Sequence, residues 1–335
     1  MPLRAGLVRR LREHLEDGLL EVRRLNLRIA ASLAAGTLVA TPLPGRAADP
    51  PAPPVETEIS MGHESLSSPL FRFSETGALL RLPGLRTLSG SYLRIGTGGM
   101  LAVPADAGQW TLAGRADWKR APAARDLDFG NLSGDLTWRQ AVAGGQAGVG
   151  LGRQHLSVAG SRFRVADGIQ ADWTRPTAGD GHWALLSALS RQRHPRDPDL
   201  DGTVASVSAQ RHQPQPFAGL DALDLEIAAA RERNRHGYGD LSSRNLFLRL
   251  SIDRRWAGIE WSAGVAMHRA SFDAALQPSL PVRRDRAAML EFSASRDLGE
   301  GSSLRFEIQE ARNRSNVALY ENRYRNASLT LVRRW

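Results

Sequence analysis

From Gly258 to Arg269 the chain alternates with a period of two. Ile259, Trp261, Ala263, Val265 and Met267 fall on one side, and Glu260, Ser262, Gly264, Ala266 and His268 on the other. Successive side chains of a strand point to opposite faces, so this segment predicts a strand with one apolar and one polar face. The same alternation recurs along the chain. Trp110, Leu112, Gly114, Ala116 and Trp118 oppose Thr111, Ala113, Arg115 and Asp117; Leu132, Leu136 and Trp138 oppose Ser133, Asp135, Thr137 and Arg139. Phe163, Val165, Ile169, Ala171 and Trp173 oppose Arg164, Gln170 and Asp172, and Leu246, Leu248, Leu250 and Ile252 oppose Arg249, Ser251 and Asp253. Leu223, Leu225 and Ile227 oppose Asp224 and Glu226, Leu290 and Phe292 oppose Glu291 and Ser293, and Leu304, Phe306 and Ile308 oppose Arg305, Glu307 and Gln309. Gly144-Gly145, Gly179-Asp180-Gly181, Asp201-Gly202 and Gly299-Glu300-Gly301 mark turns, and Gln192–Gly202 and Ala270–Asp285 read as longer polar connections.

Such runs number about thirteen from Ser89 onward, and a weaker one lies within Glu56–Leu82, where Phe71 and Phe73 alternate. A soluble sandwich also alternates, but its strands are usually about five or six residues long, and these are about ten or more. The polar faces are too charged to form a packed core, because unpaired buried charge is costly. Tryptophans at the predicted strand ends (Trp110, Trp118, Trp138, Trp173, Trp183, Trp256) suit an aromatic girdle at a membrane interface. The predicted fold is therefore an all-β transmembrane antiparallel β-barrel. Single-chain bacterial barrels have an even number of strands, so about fourteen are expected, with twelve or sixteen as neighbouring solutions.

Composition fits this reading. Mean hydropathy is -0.32, a value that would suggest a soluble chain, but alternation cancels the membrane signal in any running average. The 335 residues include no cysteine, which removes disulfide scaffolds and thiolate metal sites. The net charge is +9, carried by arginine, since Lys119 is the sole lysine. The arginines are dispersed rather than clustered, which argues against nucleic acid. Contact with outer-membrane lipid and anionic lipopolysaccharide, or a basic lumen, accounts for them better.

Residues 1–47 read as an export signal. Arg23 and Arg24 precede an apolar run from Leu25 to Leu43, and small residues Gly45 and Ala47 suit cleavage after Ala47. The acidic residues Glu13, Glu16, Asp17 and Glu21 are unusual there and point to an extended leading region or to a true start at Val22. Residues 48–55, rich in proline, read as a linker, and 56–335 as the barrel.

The polar faces supply the candidate functional residues. Arg94, Arg115, Asp117, Asp135, Arg139, Arg164, Asp172, Glu226, Arg249, Asp253, Glu260, Glu291, Arg305 and Glu307 are expected to line the lumen, either bridging one another or forming a polar path. No catalytic or cofactor-binding pattern stands out, and the histidines lack metal-ligand spacing. Glu260 and His268 share a face but lie about 26 Å apart, too far to act together. Asp197-Pro-Asp-Leu-Asp-Gly has alternate carboxylates like a calcium loop, but Pro198 and the missing distal glutamate favour a solvated acidic loop. The Gly148-Val-Gly-Leu-Gly run lacks the lysine of a phosphate loop and suits a closely approached strand.

The last strand, Tyr324–Trp335, carries Ala327, Leu329, Leu331 and Trp335 on one face, with Arg333 interrupting it. Leu329, Leu331 and the terminal Trp335 resemble the signal read by the outer-membrane barrel assembly machinery. The preceding stretch, Glu310-Ala-Arg-Asn-Arg-Ser-Asn-Val-Ala-Leu-Tyr-Glu-Asn-Arg323, together with that strand resembles the C-terminal barrel of the surface lipoprotein assembly modifier (Slam) family. The resemblance implies a fourteen-stranded barrel that moves surface lipoproteins or related secreted proteins across the outer membrane. It departs from that family in showing no helical repeat of about 34 residues before the barrel. From the residues alone, a polar loop joining two strands explains the same stretch, and a passive porin-like channel is the alternative function.

Overall fold

In the computed structural model, residues 55–335 are described, apart from 74–78, 143 and 276–279. The expected signal segment and nearly all of the linker lie outside the described residues. Fourteen antiparallel strands follow one another: β1 (Glu56–Phe73), β2 (Leu79–Ala105), β3 (Gly108–Arg120), β4 (Phe129–Val142), β5 (Gly145–Val158), β6 (Ser161–Pro176) and β7 (His182–Arg193), then β8 (Gly202–Pro214), β9 (Ala222–Asn234), β10 (Ser243–Trp256), β11 (Ile259–Phe272), β12 (Arg284–Gly299), β13 (Ser302–Ser315) and β14 (Asn322–Arg334). Each pairs with its neighbours in sequence, and β1 pairs with β14 to close the barrel. Closure leaves no free edge, the condition for spanning hydrocarbon with strands.

The pleat sorts the side chains. On β12, Ala287 and Met289 are buried, while Leu290 between Met289 and Glu291 is 62% exposed. Ile59, Leu112, Leu132, Leu151, Ile169, Leu185, Val207, Ile227 and Leu248 are likewise exposed. They all point outward and together form an apolar belt. On β10 the outward face from Leu246 to Trp256 covers about ten residue steps, roughly 33 Å along the strand and near 25 Å along the membrane normal at a typical tilt. The chain is thus a membrane-spanning barrel of the outer-membrane type.

The two rims differ. At the rim holding Val55 and Trp335, β2–β3, β4–β5, β10–β11 and β12–β13 are joined by tight turns, and the Trp335 N–H donates to the Val55 carbonyl at 3.0 Å. This rim carries Trp110, Trp138, Trp173, Trp183, Trp256, Trp261 and Trp335, all outward-facing; Trp110 and Trp138 have ring centroids 5.1 Å apart. Only Trp118 sits toward the other rim. The tryptophan girdle is therefore one-sided. Short turns place this rim in the periplasm and the long loops outside.

Four of the long loops share one construction that the sequence reading did not find. Arg125–Leu127, Pro198–Leu200, Gly239–Leu241 and Ala318–Tyr320 each form a single 3-10 turn leading directly into a strand. In the first three the turn is followed by a side chain that staples the loop shut. Asp128 Oδ1 accepts from the Ala121 N–H at 2.7 Å, Asp201 Oδ1 from His194 N–H at 2.6 Å, and Ser242 Oγ from Asn234 N–H at 3.0 Å. The Asp201 carboxylate, one of the three alternate acids of the calcium-like pattern, is thus occupied in closing its loop. Among the described residues no cluster of histidines and carboxylates could hold a metal. Asp201→Ala should cost about 1–3 kcal/mol locally by leaving the His194 amide without its charged acceptor. Faster proteolytic nicking within Arg196–Asp201 of the folded protein is the expected readout, and an unchanged rate would refute the staple.

Candidate functional site

The inner wall is organised around β1, the strand read least clearly from sequence. Its inward side chains include Glu58, Ser60 and Glu64, all buried, at a period of two. Glu58 lies 2.7 Å from Arg305 on β13, 3.0 Å from Arg115 on β3 and 3.9 Å from Arg94 on β2. Asp117 completes this knot, accepting from Arg94 at 2.6 Å and from Arg115 at 2.8 Å. One glutamate thus ties together four strands across the closure of the barrel.

A second knot sits six residues further along β1, toward the long loops. Lys119 donates to Glu64 Oε1 at 2.5 Å and lies 5.3 Å from the centre of the Tyr92 ring. The Tyr324 hydroxyl donates to Glu64 Oε2 at 3.1 Å, and that of Tyr92 donates to Asn326 at 2.9 Å. The chain's sole lysine is therefore used here. Above this knot Ala121 and Leu127 of the β3–β4 loop pack on Tyr92 and Leu88, so that loop folds into the barrel mouth.

The remaining predicted residues fall on the rest of the inner face. Arg139 pairs with Asp172 at 2.9 Å, and Arg249 with Glu291 at 2.6 Å. Arg164 donates to Gln154 at 2.9 Å. Glu260 lies at the periplasmic rim in close contact with Arg255, well exposed. Asp135, Glu226, Asp253 and Glu307 have no cation within 4 Å among the described residues. The Gly148, Gly150 and Gly152 run on β5 faces inward, and its missing side chains make room for neighbours. A Cβ at Gly150 would lie 2.7 Å from Thr137 Oγ1, and one at Gly148 2.5 Å from Asp172. Glycine on this strand therefore admits the Asp172, Thr137 and Asp135 side chains from the flanking strands.

Among the described side chains, the inward carboxylates (Glu58, Glu64, Asp117, Asp135, Asp172, Asp224, Glu226, Asp253, Glu291, Glu307) outnumber the inward cations (Arg94, Arg115, Lys119, Arg139, Arg164, Arg249, Arg305). The described inner wall is acidic although the chain is +9. Of the two accounts of the basic charge, contact with anionic lipopolysaccharide or a basic lumen, the described inner wall does not favour the second; many of the described arginines stand on the outside and at the rims. Glu58 and Glu64 were missed because β1 has few large apolar residues, but the sequence Glu56-Thr-Glu-Ile-Ser-Met-Gly-His-Glu already places acids and small polar residues at every second position.

The predicted assembly residues Leu329 and Leu331 face outward on β14. Arg333 sits beside them at the periplasmic rim, donating to Ser302 at 2.7 Å with its guanidinium 4.9 Å from the centre of the Trp335 ring. A long side chain of this kind reaches water from an apolar face. The Glu310–Arg323 stretch forms the end of β13, a 3-10 turn and the start of β14. Its polar residues hold the loop: Asn313 donates to the Tyr320 carbonyl at 2.7 Å, and Asn316 donates to the Val282 carbonyl at 2.8 Å.

No family model matches the chain, and no curated protein does. Among solved structures it is similar to the anion-selective porin of Comamonas acidovorans, at 9% identity over 85% of this chain and 99% of that one, with a TM-score of 0.45. It is similar to an outer-membrane channel of Pseudomonas putida F1 at 12% identity over 88% and 99%, with a TM-score of 0.44. It is also similar to OpdK of Pseudomonas aeruginosa, solved with vanillate, at 10% identity over 84% and 99%, with a TM-score of 0.41.

Proposed function

We propose that the barrel is a polar conduit across the outer membrane with a preference for cationic cargo. The acidic inner wall in an otherwise basic protein carries this reading. Charge concentrated on the low-dielectric walls of a channel focuses the field within it and raises the local concentration of the opposite sign. Asp135, Glu226 and Glu307, with Asp253 nearer the rim, matter most, because among the described residues no cation neutralises them at ion-pair distance.

Reversal potentials in planar bilayers under a potassium chloride gradient test it. Potassium should be favoured over chloride, and Asp135→Asn, Glu226→Gln and Glu307→Gln together should lower the permeability ratio by about twofold or more. Chloride preference, or no conductance at all, would sink the conduit reading.

A second reading, a translocation barrel for surface lipoproteins or related secreted proteins, is favoured by the likeness of the Glu310–Arg323 hairpin to the Slam family. It predicts that loss of the protein strips a lipoprotein from the cell surface. Unchanged display of every surface lipoprotein would end it.

A further inference from the structure

The outer face of the barrel carries a row of arginines at its long-loop rim. Arg269 on β11 stands directly opposite Arg286 on β12, and Arg286 directly opposite Arg314 on β13. Adjacent strands lie about 4.8 Å apart, so three guanidinium-bearing positions fall within about 10 Å. Arg284 and Arg312 flank the row on the same outward face, and all five residues are exposed. Like charges directly opposite on neighbouring strands are destabilising. The arrangement is thus unfavourable in isolation and calls for a counter-charge.

The described residues supply none here. Nearby outward arginines do have carboxylates: Arg231 contacts Asp273, and Arg323 and Arg325 contact Glu310. Among the described residues, none of the five has a carboxylate within 4 Å. The row lies directly above the hydrocarbon belt. Met267 on β11 is two residues further toward the membrane centre, and Leu290 and Ile308 follow on β12 and β13. The opposite rim instead presents tryptophans.

We propose that this row is a docking site for the phosphorylated disaccharide headgroup of lipid A in the outer leaflet, with its acyl chains lying against the belt below. The position fixes the occupant. The guanidiniums face the membrane rather than the lumen, at headgroup depth, on the side opposite Val55 and Trp335. Guanidinium forks match phosphate oxygens in charge and geometry, and a headgroup with two phosphates can span neighbouring positions of the row. The site is separate from the lumen, so it stands or falls independently of conduction.

Native mass spectrometry of the folded protein in detergent, titrated with bisphosphorylated lipid A, dephosphorylated lipid A or phosphatidylglycerol, tests the site. Wild type should bind bisphosphorylated lipid A in preference to the other two. Arg269→Gln, Arg286→Gln and Arg314→Gln together should weaken that binding by roughly tenfold or more, and Arg286→Gln alone, at the centre of the row, by several-fold. Arg175→Gln, Arg211→Gln and Arg296→Gln at the opposite rim should leave it unchanged. The proposal is overturned if the row variants bind as wild type does, if the opposite-rim variant loses as much, or if phosphatidylglycerol binds equally well.

Discussion

Glu58→Gln is expected to lower the stability of the folded barrel by about 2 kcal/mol, among the largest effects of any single inner-wall change. The glutamate is buried and faces three guanidiniums, on β2, β3 and β13. Removing one partner of a buried ion pair typically costs about 3–5 kcal/mol, because the partner's charge is left uncompensated. Here the arginines remain about a third exposed, and water screens part of that cost. Asp117 also continues to hold Arg94 and Arg115, so Arg305 is the group left most exposed to the loss. The measurement is the guanidinium midpoint for the folded species, followed by its faster migration in unheated gels. Glu58→Gln combined with Arg305→Gln should recover part of the loss, since the double change removes the orphaned charge as well. A midpoint equal to wild type for the single variant would show that the knot contributes nothing.

A second large effect is expected at the mouth. Arg283 and Asp285 are both buried and in direct contact. The Arg283 guanidinium stacks between two rings, 3.5 Å from the centre of Tyr320 and 4.3 Å from that of Phe272. It therefore fastens the β11–β12 loop to the 3-10 turn before β14, alongside the contact of Leu280 with Val317, Leu319 and Tyr320. Arg283→Met keeps the length of the side chain but strands the Asp285 carboxylate, at an expected local cost of about 3–5 kcal/mol. The loop should then be cut by protease in the otherwise intact barrel. Arg283→Met with Asp285→Asn should be cut more slowly than the single variant. If the single variant resists protease like wild type, the clamp is not what holds the loop.

Much of this architecture could be read from the chain. Alternation at Ile259–Met267 or Leu246–Ile252 states both the strand and which side faces lipid, because a period of two has one meaning in a wall with water inside and lipid outside. Rim identity was also encoded, though only jointly. Trp110 opens its strand and Trp138 closes the next, and in an up-and-down barrel both positions fall at the same end. What alternation cannot carry is register. The row Arg269–Arg286–Arg314 and the convergence of Glu58 on Arg305 join residues on different strands, and a shift of two residues in any pairing would dissolve them while preserving every in-and-out assignment. The repeated Asp-Leu-Asp or Asp-Leu-Ser loops escaped notice for another reason. Only Asp197–Gly202 had enough carboxylates to suggest chemistry, whereas the shared feature is mechanical.

The closing seam bears on how any cargo could leave the barrel. β1 and β14 are paired over 12 consecutive residues, from Glu56 opposite Arg334 to Ser67 opposite Arg323, with Ser60 and Thr330 hydroxyls 2.8 Å apart across the join. Glu58 then binds β13 over the top of β14, so the seam is bridged by side chains as well as by backbone. Sideways release into the bilayer through this join would require unzipping the whole ladder and breaking the Glu58 knot at the same moment. If the translocation reading holds, a cargo that carries a lipid tail has to exit along the barrel axis or be handed its membrane attachment elsewhere, and a disulfide locked across β1 and β14 should then leave such passage undisturbed.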